Sequence, residues 1–370
     1  MNTGNCLPFV IKNYAMRSFI TCLYLLFLLA GCDQVQVNST AVSPDGSMPV
    51  SKYFDYGDTA GVQSAGIKMI PVKTPVGEFK VWTKRFGNNP HIKILLLHGG
   101  PAAGHEYMEC FESFFPKEGF EFYEYDQLGA PYSEQPKDSS LWTIERYVDE
   151  VEQVRKAIGA DSTNFYILGN SWGGMLAMEY ALKYQANCKG MIVANMMASS
   201  PAYGKYANDV LAKQMDPKVL AEIRSIEAKK DFKNPRYDEL LMPAFYQQHI
   251  CRLPEWPDPV VRCFTHLNTT ERSKEIYVMM QGPSEFGITG RLTNWDIMNR
   301  LKEIKIPTLM VGAKYDTMDP KAMEEQSKLV QKGRYLYCAN GSHFSMWDDQ
   351  QTFMTGVIQF IKDVHNGSFK

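Results

Sequence analysis

Several features that would place this chain in other protein classes are missing. The 370 residues contain no run of lysine or arginine and carry a formal net charge of −2, so no nucleic-acid-binding surface is predicted. No internal repeat with a period of roughly 20–50 residues is evident, which argues against solenoids and propellers. The eight cysteines show neither a C-x-x-C motif nor Cys/His metal spacing, so neither a metal nor a cofactor is predicted.

Hydrophobic residues make up 45% of the sequence, which is typical of a globular protein with an ample core. Cysteine pairing is left open by the sequence. In an oxidising compartment Cys251 and Cys263 could form a disulfide, and two buried thiols are an equal alternative.

The N-terminal region has the pattern of an export signal. Residues 19–30 are almost wholly apolar and follow Arg17, but the run is too short to span a membrane comfortably. It leads into Leu28-Leu29-Ala30-Gly31-Cys32, which resembles the bacterial lipobox, in which the cysteine is lipidated and becomes the mature N-terminus. A plain secretory signal and an uncleaved anchor are the alternatives, and Met16 is a second possible start.

The lipoprotein interpretation divides the first part of the chain in two. Residues 1–31 are the predicted signal peptide, and Cys32 is the predicted lipidation site. Residues 32–55 are polar and contain Ser, Thr, Pro and Gly, so they are predicted to be a flexible tether. The mature protein is then expected to be exported and lipid-anchored to a bacterial cell membrane.

Short β-rich runs alternate with helical patterns over the rest of the chain. This alternation predicts an α/β fold with a doubly wound, mostly parallel sheet that begins with an antiparallel hairpin. The predicted strands are 67–73, 78–85, 93–98, 121–126, 164–169, 190–195, 307–312 and 334–338. Residues 199–293 are helical in pattern without a convincing strand, so they are predicted to form a cap inserted between core segments 56–198 and 294–370.

One motif indicates the chemistry. Gly169-Asn170-Ser171-Trp172-Gly173 stands between a predicted strand and a predicted helix, the context of the nucleophile elbow of α/β-hydrolases. The turn is so tight that glycine is required two residues to each side of Ser171. Ser171 is the predicted nucleophile, and the amide-rich start of the following helix faces the forming oxyanion. The alternative is an ordinary glycine-rich turn.

The remaining catalytic roles follow from chain order, because this fold supplies its triad as Ser, Asp or Glu, then His. Asp316, just after strand 307–312, is the predicted acid. Asp319 is the competing candidate, although its Asp-Pro context favours a turn or a helix cap. His343, after the last strand, is the predicted base, since the only later histidine, His365, lies in the final tail.

The oxyanion needs two backbone N–H donors. One follows the nucleophile and belongs to Trp172. The other is expected from the loop after the third strand, which reads His98-Gly99-Gly100-Pro101, and Gly100 is the predicted donor. His98 is predicted to brace this loop by hydrogen bonding and not to act as a base.

These motifs, together with Asp126-Gln127-Leu128-Gly129 and Gln281-Gly282-Pro283-Ser284-Glu285-Phe286, resemble the proline iminopeptidase family of α/β-hydrolases. The resemblance runs from about residue 65 to the C-terminus, and its last stretch is most similar to the tricorn-interacting aminopeptidase branch. It implies removal of N-terminal residues, often proline, from short peptides. Two differences, Ala102 where the family usually has glycine and Leu128 where it often has arginine, are expected near the mouth of the site.

An aminopeptidase must distinguish a free α-ammonium from an internal amide, and a carboxylate in the cap can do this. The resemblance assigns that role to Glu285, for which a helix-capping or solvated surface carboxylate is the alternative. Glu255 is a second, weaker candidate for substrate binding. Asp126 is expected to be a structural acid that holds the loops around the site.

Three functions are therefore compared. The first is an exported, lipid-anchored serine aminopeptidase acting on short peptides or aminoacyl small molecules. The second is an esterase, amidase or lactone hydrolase for a small molecule, and the third is a catalytically idle, peptide-binding lipoprotein. Glu285 separates the first two, because an ester without an ammonium group gives it no partner. The presence of Ser171, Asp316 and His343 argues against the third.

Overall fold

The structure is a computed structural model and describes residues 50–57, 61 and 66–370. The predicted signal peptide, Cys32 and most of the predicted tether lie outside the described residues. The end of that tether differs from the prediction, because Val50–Tyr53 form a short helix, α1. The Tyr53 side chain is buried, and its hydroxyl donates a hydrogen bond of 2.7 Å to the carbonyl of Phe120. An aromatic side chain that packs against the core therefore ends the tether earlier than expected.

The eight predicted strands are confirmed, each end lying within one residue of its predicted position. They form one sheet in the order β1-β2-β4-β3-β5-β6-β7-β8, in which β1 and β2 pair antiparallel, β2 and β4 pair antiparallel, and all other pairs are parallel. Their bounds are β1 Ile67–Thr74, β2 Gly77–Phe86, β3 Lys93–Leu97, β4 Glu121–Asp126, β5 Phe165–Asn170, β6 Gly190–Ala194, β7 Thr308–Ala313 and β8 Gly333–Cys338.

Helices cover both faces of the sheet, which explains why every residue of β4, β5, β6 and β7 is buried. Alternate residues of one strand enter different core clusters: Leu95 and Leu97 join one, Ile94 and Leu96 the other. The first cluster includes side chains from three helices, α2 Ile144–Ala157, α3 Trp172–Tyr184 and α10 Pro320–Leu329. The second includes side chains from α12 Gln350–His365, which follows the short helix α11 Ser345–Asp348.

The chain between β6 and β7 is helical, as expected for an inserted cap. Its helices are α4 Ser200–Tyr206, α5 Pro217–Ala228, α6 Pro235–Leu241, α7 Gln247–His249, α8 Asp258–Thr269 and α9 Glu271–Met280. Local sequence sets their starts: the side chain of Asp216 caps α5 and that of Asn234 caps α6, each followed by proline at the first helical position. An isolated β-bridge between Ser199 and Asp296 joins the two ends of this insertion.

The strand order creates the place for a site. After β3 the chain proceeds to β4 on one side, whereas β5 pairs with β3 on the other. Such a reversal opens a crevice at the carboxyl ends of the strands, where ligands of open α/β sheets bind. The Gly99–Gly100 loop follows β3 and Ser171 follows β5, so the topology places the predicted oxyanion loop beside the predicted nucleophile.

Replacing Gly173 with alanine is expected to destabilise the fold, because the added Cβ would lie 2.0 Å from the carbonyl oxygen of Leu97. The free energy of unfolding should fall by at least about 1–3 kcal/mol, the usual cost of overpacking, in urea denaturation. Gly204→Ala in α4 is the matched control, since its Cβ would meet nothing within 4 Å. It should keep or raise that free energy by up to about 1 kcal/mol. Equal effects of the two substitutions would contradict this account of the turn.

Candidate active site

The turn between β5 and α3 holds Ser171 in a conformation rare for a residue with a side chain, with φ 57° and ψ −127°. Its amide donates a 3.1 Å hydrogen bond to the carbonyl of Ala194 on β6. The flanking glycines have the close contacts expected: a Cβ on Gly169 would lie 1.9 Å from the carbonyl oxygen of Gly173. Ser171 therefore stands at a strained strand–helix turn, the geometry of an exposed nucleophile.

The predicted acid and base meet at the carboxyl ends of β7 and β8. Nδ1 of His343 lies 2.8 Å from Oδ1 of Asp316, and both side chains are buried. Nε2 of His343 is buried and makes no hydrogen bond with a described residue, and His343 and Ser171 line the same cavity. Asp319, the competing acid, instead accepts a 3.0 Å hydrogen bond from the Lys321 amide and caps α10.

The surroundings of His343 favour its protonated form. Burial is the largest influence and lowers the pKa of His343, but the charge and hydrogen bond of Asp316, with a contribution from Glu285, raise it overall. An imidazolium at this position is therefore stabilised by a buried carboxylate, as general-base catalysis by a histidine requires.

Asn195 was not among the predicted site residues, yet it holds the predicted acid in place. It follows β6 with φ 54°, and its Nδ2 donates to Oδ2 of Asp316 at 2.7 Å and to the carbonyl of Ser342 at 3.1 Å. Ser345 Oγ in turn donates to Asn195 Oδ1 at 2.9 Å. The sequence signal that could have identified Asn195 is its position at the carboxyl end of β6, the strand next to the elbow.

The loop after β3 carries Gly100 with φ 108°, and Gly100 lines the cavity beside Ser171. Trp172 is the first residue of α3, so its amide has no acceptor within the helix. The Trp172 indole is held away by a 2.7 Å hydrogen bond from Nε1 to Oε1 of Gln127. The two predicted oxyanion donors thus come from the two loops that meet at the crevice.

His98 braces this loop, as expected. Its Nε2 accepts from the amide of Gln127 at 3.0 Å, which leaves the proton on Nδ1 to donate to the carbonyl of Gly99 at 2.8 Å. Burial lowers the pKa of His98, so the ring is kept neutral. Tyr107 adds a second brace that the sequence did not reveal: its hydroxyl accepts from the Gly99 amide at 2.7 Å and donates to Asn170 at 3.0 Å.

The cavity above Ser171 has about 390 Å³ of space between its lining atoms, including the solvent at its mouth. Its polar functional groups come from Ser171, His343, Glu285 and two tyrosines. Most of the remaining lining is apolar: Ile250, Cys263, Phe264 and Leu267 come from the helical insertion, Ala103 from the loop after β3 and Phe344 from the segment after β8. Such a lining suits a small apolar group placed next to a reacting carbonyl.

The two predicted carboxylates differ in placement. Glu285 is partly exposed and lines the cavity with Ser171 and His343. Burial is the largest influence on its carboxyl and raises the pKa of Glu285, opposed by His343 and by a hydrogen bond from Tyr277. Glu255 is exposed and does not line the cavity, so its predicted placement at the site was wrong. The Glu255 position precedes α8 in a proline-rich turn that directs it to solvent.

Asp126 is a structural acid, as expected. Its Oδ1 accepts from both the amide and Nδ1 of His105, at 2.8 and 2.7 Å, and its Oδ2 accepts from the Tyr132 amide at 2.9 Å. Burial is the largest influence and by itself lowers the pKa of His105. The charge and the hydrogen bond of Asp126 together outweigh burial, so the pKa of His105 is raised to about 9. The pair therefore joins the loops after β3 and β4 as a buried ion pair.

Two smaller expectations are settled by position. Cys251 and Cys263 are separate buried thiols, so the alternative without a disulfide holds. Ala102 and Leu128 do not line the cavity, and their expected position near its mouth was wrong, because both side chains are fully buried in the core.

In the part of the chain that the structure describes, no cluster of His, Cys, Asp and Glu has an arrangement suited to a metal ion.

Comparisons with known proteins identify relatives of this chain. A family model described as the alpha/beta hydrolase fold matches residues 93–350. A proline iminopeptidase of Flavobacterium johnsoniae is 75% identical over 298 residues, which cover 80% of this chain and 99% of the relative.

Solved structures show the same fold. The structure of VinJ matches with a TM-score of 0.74 at 27% identity, covering 80% of this chain and 98% of VinJ. Proline iminopeptidase from Mycobacterium smegmatis matches with a TM-score of 0.72 at 25% identity, covering 82% and 99%. The chain is therefore a hydrolase and belongs to the proline iminopeptidase family of α/β-hydrolases.

Proposed function

We propose that the protein is a serine aminopeptidase that releases proline or another, often apolar, N-terminal residue from short peptides. The observation that carries the proposal is the shared cavity of Ser171, His343 and Glu285. A nucleophile and a carboxylate in one small, mostly apolar cavity fit a substrate whose scissile carbonyl lies one residue from a positive charge. The names of the relatives support the same reaction.

The geometry supports a two-step acyl transfer. His343 Nε2 removes the proton of Ser171 Oγ while Oγ attacks the carbonyl carbon, and the amides of Gly100 and Trp172 stabilise the oxyanion. The imidazolium then gives its proton to the leaving amine, the C–N bond breaks, and an aminoacyl ester remains on Ser171. His343 next deprotonates a water that hydrolyses this ester, which releases the amino acid and restores the serine.

Glu285 supplies selectivity for the free N-terminus. A charge-assisted hydrogen bond between its carboxylate and the α-ammonium is stronger in this apolar cavity than in water. An N-acetylated substrate cannot form that bond, and by covering the carboxylate without giving it a partner it would lose binding free energy. The apolar side chain of the first residue would contact Phe264, Leu267 and Phe344.

We also propose that the protein is exported and held at a bacterial membrane through a lipid on Cys32. Support comes from the apolar run at residues 19–30 and the lipobox-like sequence that ends at Cys32. Over residues 50–57, 61 and 66–370, no helix combines the length and the apolar character needed to cross a membrane.

Ser171→Ala is expected to lower kcat on aminoacyl anilides by several orders of magnitude, because the attacking oxygen is lost. The free energy of unfolding should change little, since only one oxygen is removed. A phosphonylating serine reagent should label Ser171 in the unsubstituted protein, as read by peptide mass spectrometry. Undiminished turnover in the variant would exclude the acyl-enzyme route.

Glu285→Gln is expected to lower kcat/KM on free-amine anilides by about ten- to a hundredfold, because a charge-assisted hydrogen bond is replaced by a neutral one. Small acyl esters without an amine should be hydrolysed at nearly the original rate. Glu255→Gln is the matched control and should change neither rate, since Glu255 lies outside the cavity. Equal losses on anilides and esters after Glu285→Gln would favour the esterase alternative.

Cys32→Ser is expected to abolish lipidation. The unsubstituted protein, expressed in a bacterium with lipoprotein-processing enzymes, should enter the detergent phase and show a mass increment on its N-terminal peptide. The variant should lose both properties. A mature protein that begins at another residue without added mass would exclude the lipid anchor while leaving the peptidase assignment intact.

A further inference from the structure

Three tyrosine hydroxyls hold Glu285, and each comes from a different part of the helical insertion. Tyr203 of α4 donates to the backbone carbonyl of Glu285. Tyr246, which ends the π-helical turn before α7, accepts from the Glu285 amide at 3.1 Å. Tyr277 of α9 donates to the carboxylate oxygen Oε1 at 2.6 Å. Two hydroxyls therefore hold the backbone and one holds the side chain.

Tyr277 is the tyrosine whose hydroxyl touches the carboxylate. Its side chain is buried and lines the same cavity as Ser171. The other carboxylate oxygen of Glu285, Oε2, makes no hydrogen bond with a residue that the structure describes. One oxygen is thus occupied by a protein donor, and the second is available to a ligand in the cavity.

We propose that Tyr277 is a positioning residue for free-amine substrates: its hydroxyl, bonded to Oε1 of Glu285, orients the carboxylate so that it can accept a hydrogen bond from the substrate ammonium. This inference rests on the proposed aminopeptidase function. It adds a specificity role for a residue of α9 that does not touch the reacting atoms. The hydroxyl acts only through Glu285, so it should not affect substrates that have no amine.

The electrostatics give the direction of the effect. Burial raises the pKa of Glu285, and the hydrogen bond from Tyr277 is one of the two influences that lower it. Burial and the charge of Glu285 raise the pKa of Tyr277 well above its ordinary value, so this hydroxyl stays a donor at any working pH. Without the hydroxyl, only His343 still opposes the effect of burial, so the pKa of Glu285 rises further.

Other titratable groups also face Glu285. They are His343 in the loop after β8, Tyr246 and Tyr203 in the insertion, and Tyr107 in the turn after β3. Burial is the largest influence on each of the three tyrosines and raises its pKa, so they remain neutral. Among these groups, His343 is therefore the one whose protonation also affects the rate, and an ester substrate reports on it separately.

The test is Tyr277→Phe, which removes the hydroxyl and keeps the ring. On a prolyl or alanyl anilide, KM is expected to rise so that kcat/KM falls about tenfold at neutral pH, with kcat largely kept. The acid limb of kcat/KM should move to higher pH, because the Glu285 carboxylate must be ionised to bind the ammonium. With a small acyl ester, both the rate and the acid limb should stay as they are in the unsubstituted protein.

Two further variants separate positioning from a general loss of structure. Tyr246→Phe removes the acceptor for the Glu285 amide and leaves the carboxylate contact, so it should not move the acid limb. Tyr277→Phe made in the Glu285→Gln background should cause little further loss on anilides, since the charge it supports is already gone.

The outcomes distinguish this inference from the proposed function. An unmoved acid limb for anilides, or equal losses on anilides and esters, after Tyr277→Phe would overturn the role of Tyr277. If Glu285→Gln still lowers kcat/KM selectively on anilides, the aminopeptidase function stands even though the role of Tyr277 does not. If Glu285→Gln is not selective, the proposed function itself fails.

Discussion

The close approach of the start of α3 to the end of β3 is the constraint on which the site depends. A Cβ on Gly173 would lie 2.0 Å from the Leu97 carbonyl oxygen, so only glycine lets the two elements meet there. That contact fixes Ser171 in its strained conformation and brings the Gly100 loop beside it. The strain is maintained by the central strands of the sheet, which are buried on both faces, because a looser scaffold would let the turn relax.

Around this turn, buried polar groups are hydrogen-bonded to one another. Asp316 is matched by His343 and Asn195, and Asp126 is matched by His105 and the Tyr132 amide. The contacts of Asp316 with His343 and Asn195 and that of Asp126 with His105 join segments that follow different strands. His343 Nε2 is an exception: this buried nitrogen has no hydrogen-bond partner among the described residues, and His343 lines the cavity where a substrate would be.

Much of the fold and of the candidate site could be predicted because short stretches of sequence indicated it. The eight strands were visible as short apolar runs, and the elbow as glycines at fixed distances from Ser171. Asn195 and Tyr277 could not be found this way, since their partners, Asp316 and Glu285, are brought to them by folding. Glu255 shows the opposite case: a carboxylate close to the cap helices in sequence lies in solvent because the turn before α8 directs it outward.

The sequence by itself determined the strand–helix alternation and the glycine-flanked elbow, because each depends on residues close together in the chain. The predicted order of nucleophile, acid and base came instead from the chain order that is usual in this fold. Tertiary structure alone decided which carboxylate reaches the cavity and which polar groups hold it. Tyr203, Tyr246 and Tyr277 converge on Glu285 from separate segments, and no local pattern marks such a convergence. Periodicity reports only on near neighbours, whereas the recognition of a substrate depends on contacts between distant segments.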